Sequence, residues 1–208
     1  MKNIVVLVSG GGTNLQALID AQNRGDIKNG RITCVVSSNP NAYALTRAAD
    51  NGIDSVVIRR KDYDAFVTYD FALTQLLKSL NADLVVLAGF MTILGSKVIK
   101  AFENKIINIH PSLIPSFCGE GFYGLHVHEA ALKKGVKLTG ATAHFVNEVC
   151  DGGPIIIQKA VAVENGDTPE ILQKRVMEQA EWNILPQAVA LFCDDKIIVK
   201  DNKTEILD

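Results

Sequence analysis

The chain of 208 residues lacks a long apolar run. Ile4 to Val8 is apolar only briefly before glycines follow. That is too short for a signal-peptide core, and no stretch reaches the roughly 20 apolar residues of a membrane span. Net charge of either sign is also scarce: 21 Lys and Arg against 23 Asp and Glu leave -2. Bulk attraction to nucleic acid or to an anionic membrane is therefore not expected. The four cysteines, Cys34, Cys118, Cys150 and Cys193, form no CxxC pair, which argues against a zinc ribbon or a thioredoxin motif. Reduced thiols in a cytoplasmic protein are the simplest account. There is no internal repeat, low-complexity segment or linker, so one domain over residues 1–208 is expected, and 48% hydrophobic content suffices for its core.

What is present alternates. Asn3–Ser9, Ile32–Val36, Ser55–Ile58, Asp83–Ala88 and the run ending at Ile107 read as strands. Between them, Leu15 to Ile19, Asn41–Asn51, Tyr63–Leu80 and Gly95–Phe102 read as helices. Strand alternating with helix predicts an α/β fold with a doubly wound, mostly parallel sheet. Later, Val136–Val146 and Ile155–Val163 flank a Gly-Gly-Pro turn and are expected to pair antiparallel, with Leu125–Lys134 a helix before them. Thr168 and Pro169 open a last helix that runs to about Phe192 and bends at Pro186. Ile197–Val199 is a short terminal strand before a polar tail.

Three places carry chemistry. The first is Gly10-Gly11-Gly12-Thr13-Asn14 between strand and helix, an arrangement that aims backbone N–H groups at an anion. A dinucleotide fits poorly, because Leu15 holds the third glycine place of G-x-G-x-x-G. The second strand ends in Ser37-Ser38-Asn39, with no acid for a ribose, and no Gly-Lys-Ser/Thr is present. A single phosphate remains, or else a tight turn with Thr13 as helix N-cap. The second place is Gly89-Phe90-Met91-Thr92-Ile93-Leu94, too apolar for a free loop. It is either core or the wall of a pocket for a flat aromatic ligand. Arg59-Arg60-Lys61 nearby in sequence is a solvated loop or an attraction for an acidic ligand tail.

The third place is Asn108-Ile109-His110-Pro111, a strand that ends on two polar side chains. Residues two apart share a face, and Pro111 takes the chain out of the sheet. Ligands of open parallel sheets bind at such carboxyl ends. The pair either caps the strand end or sets an amide donor beside a proton-transfer group, which suits a carbonyl oxygen gaining charge. Asp151, at the start of its turn, either caps that turn or completes the set by raising the His110 pKa toward the cation. His126 and His128 with His110 or His144 are weighed as zinc ligands and set aside for want of a carboxylate or cysteine at ligand spacing. Cys118 and Cys150 are weighed as nucleophiles and set aside because no basic residue stands by to lower their pKa.

Four runs together carry a resemblance: Val8-Ser9-Gly10-Gly11-Gly12-Thr13-Asn14-Leu15-Gln16-Ala17, Leu87-Ala88-Gly89-Phe90-Met91, Asn108-Ile109-His110-Pro111-Ser112-Leu113, and Asp151-Gly152-Gly153-Pro154. From residue 1 to about 192 the chain resembles the phosphoribosylglycinamide formyltransferase family. The resemblance implies a Rossmann-like formyltransferase fold with an antiparallel C-terminal portion. It implies a phosphate-binding half to about residue 100 and a folate-binding, catalytic half from about 101. The implied substrates are glycinamide ribonucleotide and 10-formyltetrahydrofolate, in purine synthesis, with no metal. By the same resemblance Asn108, His110 and Asp151 are catalytic, and Thr142 and His144 support them. Gly12, Thr13, Asn14 and Glu181 hold the ribonucleotide, and Phe90, Met91, Thr92, Ile93, Leu94 and Asn108 hold the folate. Where some relatives carry a folate-contacting arginine this chain has Phe66, and Arg59, Arg60 or Lys61 could stand in. The loop 116–123 is longer than in the short family form. Methionyl-tRNA formyltransferase and formyltetrahydrofolate hydrolase share the Asn-x-His motif, but each is expected with a further domain.

Overall fold

The computed structural model describes residues 1–207. Its elements in order are β1 (Lys2–Val8), α1 (Thr13–Arg24), β2 (Gly30–Ser37), α2 (Tyr43–Asp50) and β3 (Asp54–Val57), then a 3-10 turn at Arg60–Asp62. There follow α3 (Phe66–Ser79), β4 (Leu84–Leu87), α4 (Ser96–Ala101), β5 (Ile106–His110), α5 (Leu125–Lys134), β6 (Leu138–Phe145) and β7 (Ile155–Ala162). The chain ends in α6 (Pro169–Val176), a π turn at Met177–Glu181, α7 (Trp182–Cys193), β8 (Ile197–Lys200) and β9 (Lys203–Ile206). One seven-stranded sheet runs β3-β2-β1-β4-β5-β6-β7. Its first five strands pair in parallel, whereas β6 runs antiparallel to both β5 and β7.

The hydrophobic pattern explains why β1 and β4 sit at the centre. Ile4 to Val8 and Leu84 to Leu87 are aliphatic without a break, as a strand covered on both faces must be. Alternate residues feed two cores. Ile4, Val6 and Val8 pack with Leu15, Leu18, Leu185 and Val189 of α1 and α7. Val5 and Leu7 pack with Tyr69, Leu73 and Leu77 of α3 on the other face. Each fully buried aliphatic side chain contributes about 1.5–3 kcal/mol. The doubly wound sheet and its antiparallel end are thus as expected.

Three local features differ from the sequence reading. The last helix is divided: Pro186 lies inside α7, and a π turn at Met177–Glu181 separates α7 from α6. The terminal strand pairs with a second one, Lys203–Ile206, because Asp201 and Asn202 both take the left-handed backbone of a tight two-residue turn. The long helix over 63–80 begins only at Phe66, after the 3-10 turn. Thr168 does cap α6, accepting from the Ile171 N–H at 3.3 Å, with Pro169 in the first turn.

One buried carboxyl group holds the segment after β4. Asp70 of α3 accepts from the backbone N–H groups of Lys97 at 3.0 Å and Val98 at 3.2 Å. It caps α4 from a neighbouring helix, since α4 has no side-chain cap of its own. Asp70→Ala leaves two N–H groups without an acceptor. We expect it to lower the unfolding free energy by roughly 1–3 kcal/mol in a urea titration; an unchanged midpoint would show that the cap carries no stability.

Candidate functional site

The strand pairing of β5 with β6 builds the site. Asn108 stands opposite His144, and His110 opposite Thr142. Residues directly opposite share a face, and so do residues two apart. Four polar side chains thereby line up at one place. His144 Nδ1 lies 2.8 Å from the Phe145 carbonyl oxygen. A carbonyl only accepts, so that nitrogen carries a proton. The Asn108 amide nitrogen lies 3.1 Å from the other ring nitrogen, Nε2, and keeps a second N–H that does not face the ring.

The Asp151 turn completes the group. Asp151 takes the left-handed backbone, φ 52°, which Asp tolerates better than most residues. Gly153 lets the turn lie against β6: a Cβ there would collide with the Phe145 carbonyl. The Phe145 N–H donates to the Pro154 carbonyl at 2.8 Å. Asp151 Oδ2 comes 3.6 Å from His110 Nδ1, and Oδ1 comes 3.7 Å from His144 Nε2. The Gly119 N–H donates to Oδ2 at 2.8 Å. Burial pushes the Asp151 carboxyl up, but His144, His110 and the Gly119 N–H outweigh it, and the net direction is down. Asp151 is held ionised.

His110 departs from expectation. Burial pushes its imidazole down; Asp151 and the Phe117 carbonyl push it up and His144 pushes it down, so the net direction is down. The expectation that Asp151 would carry it to the cation is corrected: burial wins. Its Nε2 donates to the Phe117 carbonyl at 2.9 Å. The loop after β5 thus supplies an acceptor to His110 and a donor to Asp151. Both are backbone groups, and no side-chain pattern could have announced them. Thr142 is turned to another task. Its hydroxyl donates to the Ser112 carbonyl at 2.7 Å, accepts from the Ile114 N–H at 3.1 Å, and meets Gln158 Nε2 at 3.0 Å. It pins the loop that follows His110.

At the other place, α1 begins directly after the glycine turn. The N-cap is Gly12, with φ 72°, and it offers no side chain. Thr13 is therefore not the cap, and the first N–H groups of α1 stay open to an anion. A Cβ on Gly12 would stand 2.7 Å from the Ala44 Cβ, so α2 requires glycine there. Arg47 donates to the Gly11 carbonyl at 2.9 Å, bracing the turn, another contact the sequence did not disclose. Glu181, 167 residues away, reaches the same spot: the Asn14 amide donates to it at 2.7 Å. Burial pushes the Glu181 carboxyl up to about 7, with the Asn14 bond opposing. Asn14 Oδ1 is buried beside it and has no hydrogen-bond partner among the described residues.

The 90–94 segment joins the two places. The Met91 N–H donates at 2.8 Å to the hydroxyl of Ser9, the last residue before the glycines. Met91 is 57% and Ile93 73% exposed, so these two are not core. Among the described residues no group of three or more His, Cys, Asp or Glu is placed to hold a metal ion. His126 is on the surface beside Glu129, whereas His128 is buried with neither ring nitrogen partnered among the described residues. Burial and then the Asp151 charge push the Cys118 thiol up, and the same two causes lead for Cys150, so neither is an activated nucleophile. No helix among the described residues is long and apolar enough to cross a membrane.

The similar proteins are formyltransferases and, at lower identity, a formyltetrahydrofolate deformylase. A sequence model of the formyl transferase family matches residues 2–189. The chain is 42% identical over 202 residues to the phosphoribosylglycinamide formyltransferase of Haemophilus influenzae, covering 97% of this chain and 92% of that protein. It is 38% identical over 200 residues to the protein of that name in Escherichia coli, covering 96% and 91%. The crystal structure of glycinamide ribonucleotide transformylase 1 from Symbiobacterium toebii superposes with a TM-score of 0.94 at 41% identity, over 100% of this chain and 95% of that one.

Burial, and after it the charge of His110, pushes His128 from the ordinary imidazole value of 6.5 to about 4. The unfolded chain then takes up a proton first as pH falls. The His128 contribution to stability is lost between about pH 6.5 and about pH 4, by roughly 3 kcal/mol at the lower end. Glu181, held up at about 7, acts with the opposite sign over the same range, so the signature is a difference: in melting curves the stability gap between wild type and His128→Leu should change across this window, and a gap independent of pH would contradict the assignment.

Proposed function

The chain belongs to the formyl transferase family, and from that premise we propose that it transfers the formyl group of 10-formyltetrahydrofolate to the amine of glycinamide ribonucleotide, in purine biosynthesis. The observation that carries this reading is the array at the end of β5. An amide donor, an imidazole and an ionised carboxylate meet there, with His144 between the amide and the carboxylate.

The substrate amine attacks the formyl carbon, and the formyl oxygen gains negative charge in a tetrahedral intermediate. The free N–H of Asn108 and the Nε2–H of His110 are its donors. The Phe117 carbonyl occupies that His110 donor until the formyl oxygen replaces it. Asp151 faces Nδ1, stabilises positive charge on the ring, and receives the proton of the attacking nitrogen through solvent. The intermediate collapses by breaking the bond to the folate nitrogen, which leaves protonated as tetrahydrofolate. His144 orients Asn108, and Thr142 orients the loop. The open first turn of α1 at Gly12, Thr13 and Asn14 takes the ribonucleotide phosphate. Glu181 and the unpartnered Asn14 Oδ1 suit ribose hydroxyls, which can donate to both. Phe90 to Leu94, with Met91 and Ile93 exposed, forms the wall for the flat ring of the folate.

The test is spectrophotometric. Purified protein, glycinamide ribonucleotide and 10-formyltetrahydrofolate are mixed without added metal, and loss of the formyl group is followed. Turnover that needs the ribonucleotide is expected. Deformylation in its absence would identify a hydrolase instead, and no reaction would overturn the assignment. In the same assay Asn108→Ala should lower kcat by about 10²–10³ and His110→Ala by about 10²–10⁴, each with little change in KM.

A further inference from the structure

Resting on that reading, we propose that the hairpin of β8 and β9 positions Asp151, with Asn202 and Thr204 holding the two ends of the turn that carries the carboxylate. The hairpin takes no part in the seven-stranded sheet. Two strands alone are marginal in water, so its place depends on what it packs against. Ile197 and Val199 lie two apart on one face and pack against the core of α1 and α7. Thr204 stands directly opposite Val199, so it shares that inward face. It is the one half-buried residue of β9. Its hydroxyl donates to the Ile155 carbonyl at 2.6 Å. The Asn202 amide donates to the Gly152 carbonyl at 3.2 Å. These two acceptors bracket Gly153-Pro154, and Gly152 follows Asp151 directly.

The sheet alone holds this turn loosely. The pairing of β6 with β7 shifts register between Ala143 and His144, where Ile155 stands opposite His144. Such a shift disrupts the ladder locally, and bulges recur beside active sites. The ladder therefore weakens at the start of β7, next to the turn. From inside, the Asn147 amide donates to the Gly152 carbonyl at 3.2 Å, and the Phe145 N–H donates to the Pro154 carbonyl at 2.8 Å. The hairpin adds its two bonds from outside. A carbonyl oxygen has two lone pairs, so Gly152 accepts from Asn147 and Asn202 together. The Asp151 oxygens stand 3.6 Å and 3.7 Å from two imidazoles, so a small displacement of the turn changes both distances. Asn202 and Thr204 touch no reacting atom; they act through the carboxylate.

The experiment reads the titration of the His110 ring, which a merely structural role would not move. Asp151, His144 and His128 are the titratable groups that act on His110, and only Asp151 rides on this turn. Asn202→Gly keeps the left-handed backbone, φ 56°, without strain, and Thr204→Val keeps the branched shape. Together they remove both donors. The double variant should move the His110 midpoint part of the way to that of Asp151→Asn. Asn202→Gly alone changes only a surface side chain and should move it the same way by less. Thr204→Ser, which keeps the hydroxyl, should leave it in place. In an Asp151→Asn background the same two changes should move it no further. In the transfer assay kcat of the double variant should fall roughly three- to tenfold at an unchanged ribonucleotide KM. An unmoved midpoint in the double variant would overturn the proposal, as would an equal shift in the Asp151→Asn background. The titration needs no turnover, so it stands or falls apart from the transfer reading.

Discussion

The site depends on one carboxylate held ionised between two imidazoles. Asp151 lies 3.6 Å from His110 and 3.7 Å from His144. Burial opposes its charge, and the two rings with the Gly119 N–H restore it. Around that charge each neighbour has a defined part. His110 feels it through Nδ1 and keeps Nε2 for donation, while His144 is fixed by the Phe145 carbonyl and in turn aims Asn108. Gly153 lets the turn that carries the carboxylate lie against β6, where a Cβ would meet the Phe145 carbonyl.

The fold delivers these groups by topology. Parallel pairing of β1, β4 and β5 brings the ends of three strands to one edge. From β1 come the glycine turn and the open helix terminus, from β4 the apolar segment, and from β5 Asn108 and His110. Ser9 ties the first to the second through the Met91 N–H. The π turn brings Glu181 to Asn14, and an extra backbone step of this kind re-aims side chains at functional sites. The glycine turn, the exposed apolar segment and the polar cluster therefore lie at the ends of neighbouring strands of one sheet.

Much of this was legible in the sequence. Unbroken aliphatic runs marked buried parallel strands, and the polar stop at Asn108 and His110 marked the strand end where the polar side chains gather. The two-residue spacings placed Asn108 with His110, and Thr142 with His144, each on one face of its own strand; only the pairing of β5 with β6 brings the two pairs together. What stayed hidden is non-local or lies in the backbone. The Phe117 carbonyl and the Gly119 N–H have no side-chain signature. The balance between burial and charge at His110 cannot be read from sequence neighbours, so the expected rise became a fall. Thr13 looked like a helix cap, but a left-handed Gly12 holds that position. The π turn is hidden because an ordinary helical pattern runs through it.

The most direct test of this account is the titration of the His110 ring by nitrogen-detected magnetic resonance, in the wild-type protein and in Asp151→Asn. Asp151 raises the His110 midpoint against the effect of burial. Removing the charge should therefore move the midpoint further below the ordinary imidazole value. A midpoint that stays in place, or rises, would contradict the claim that the Asp151 charge governs the imidazole beside it.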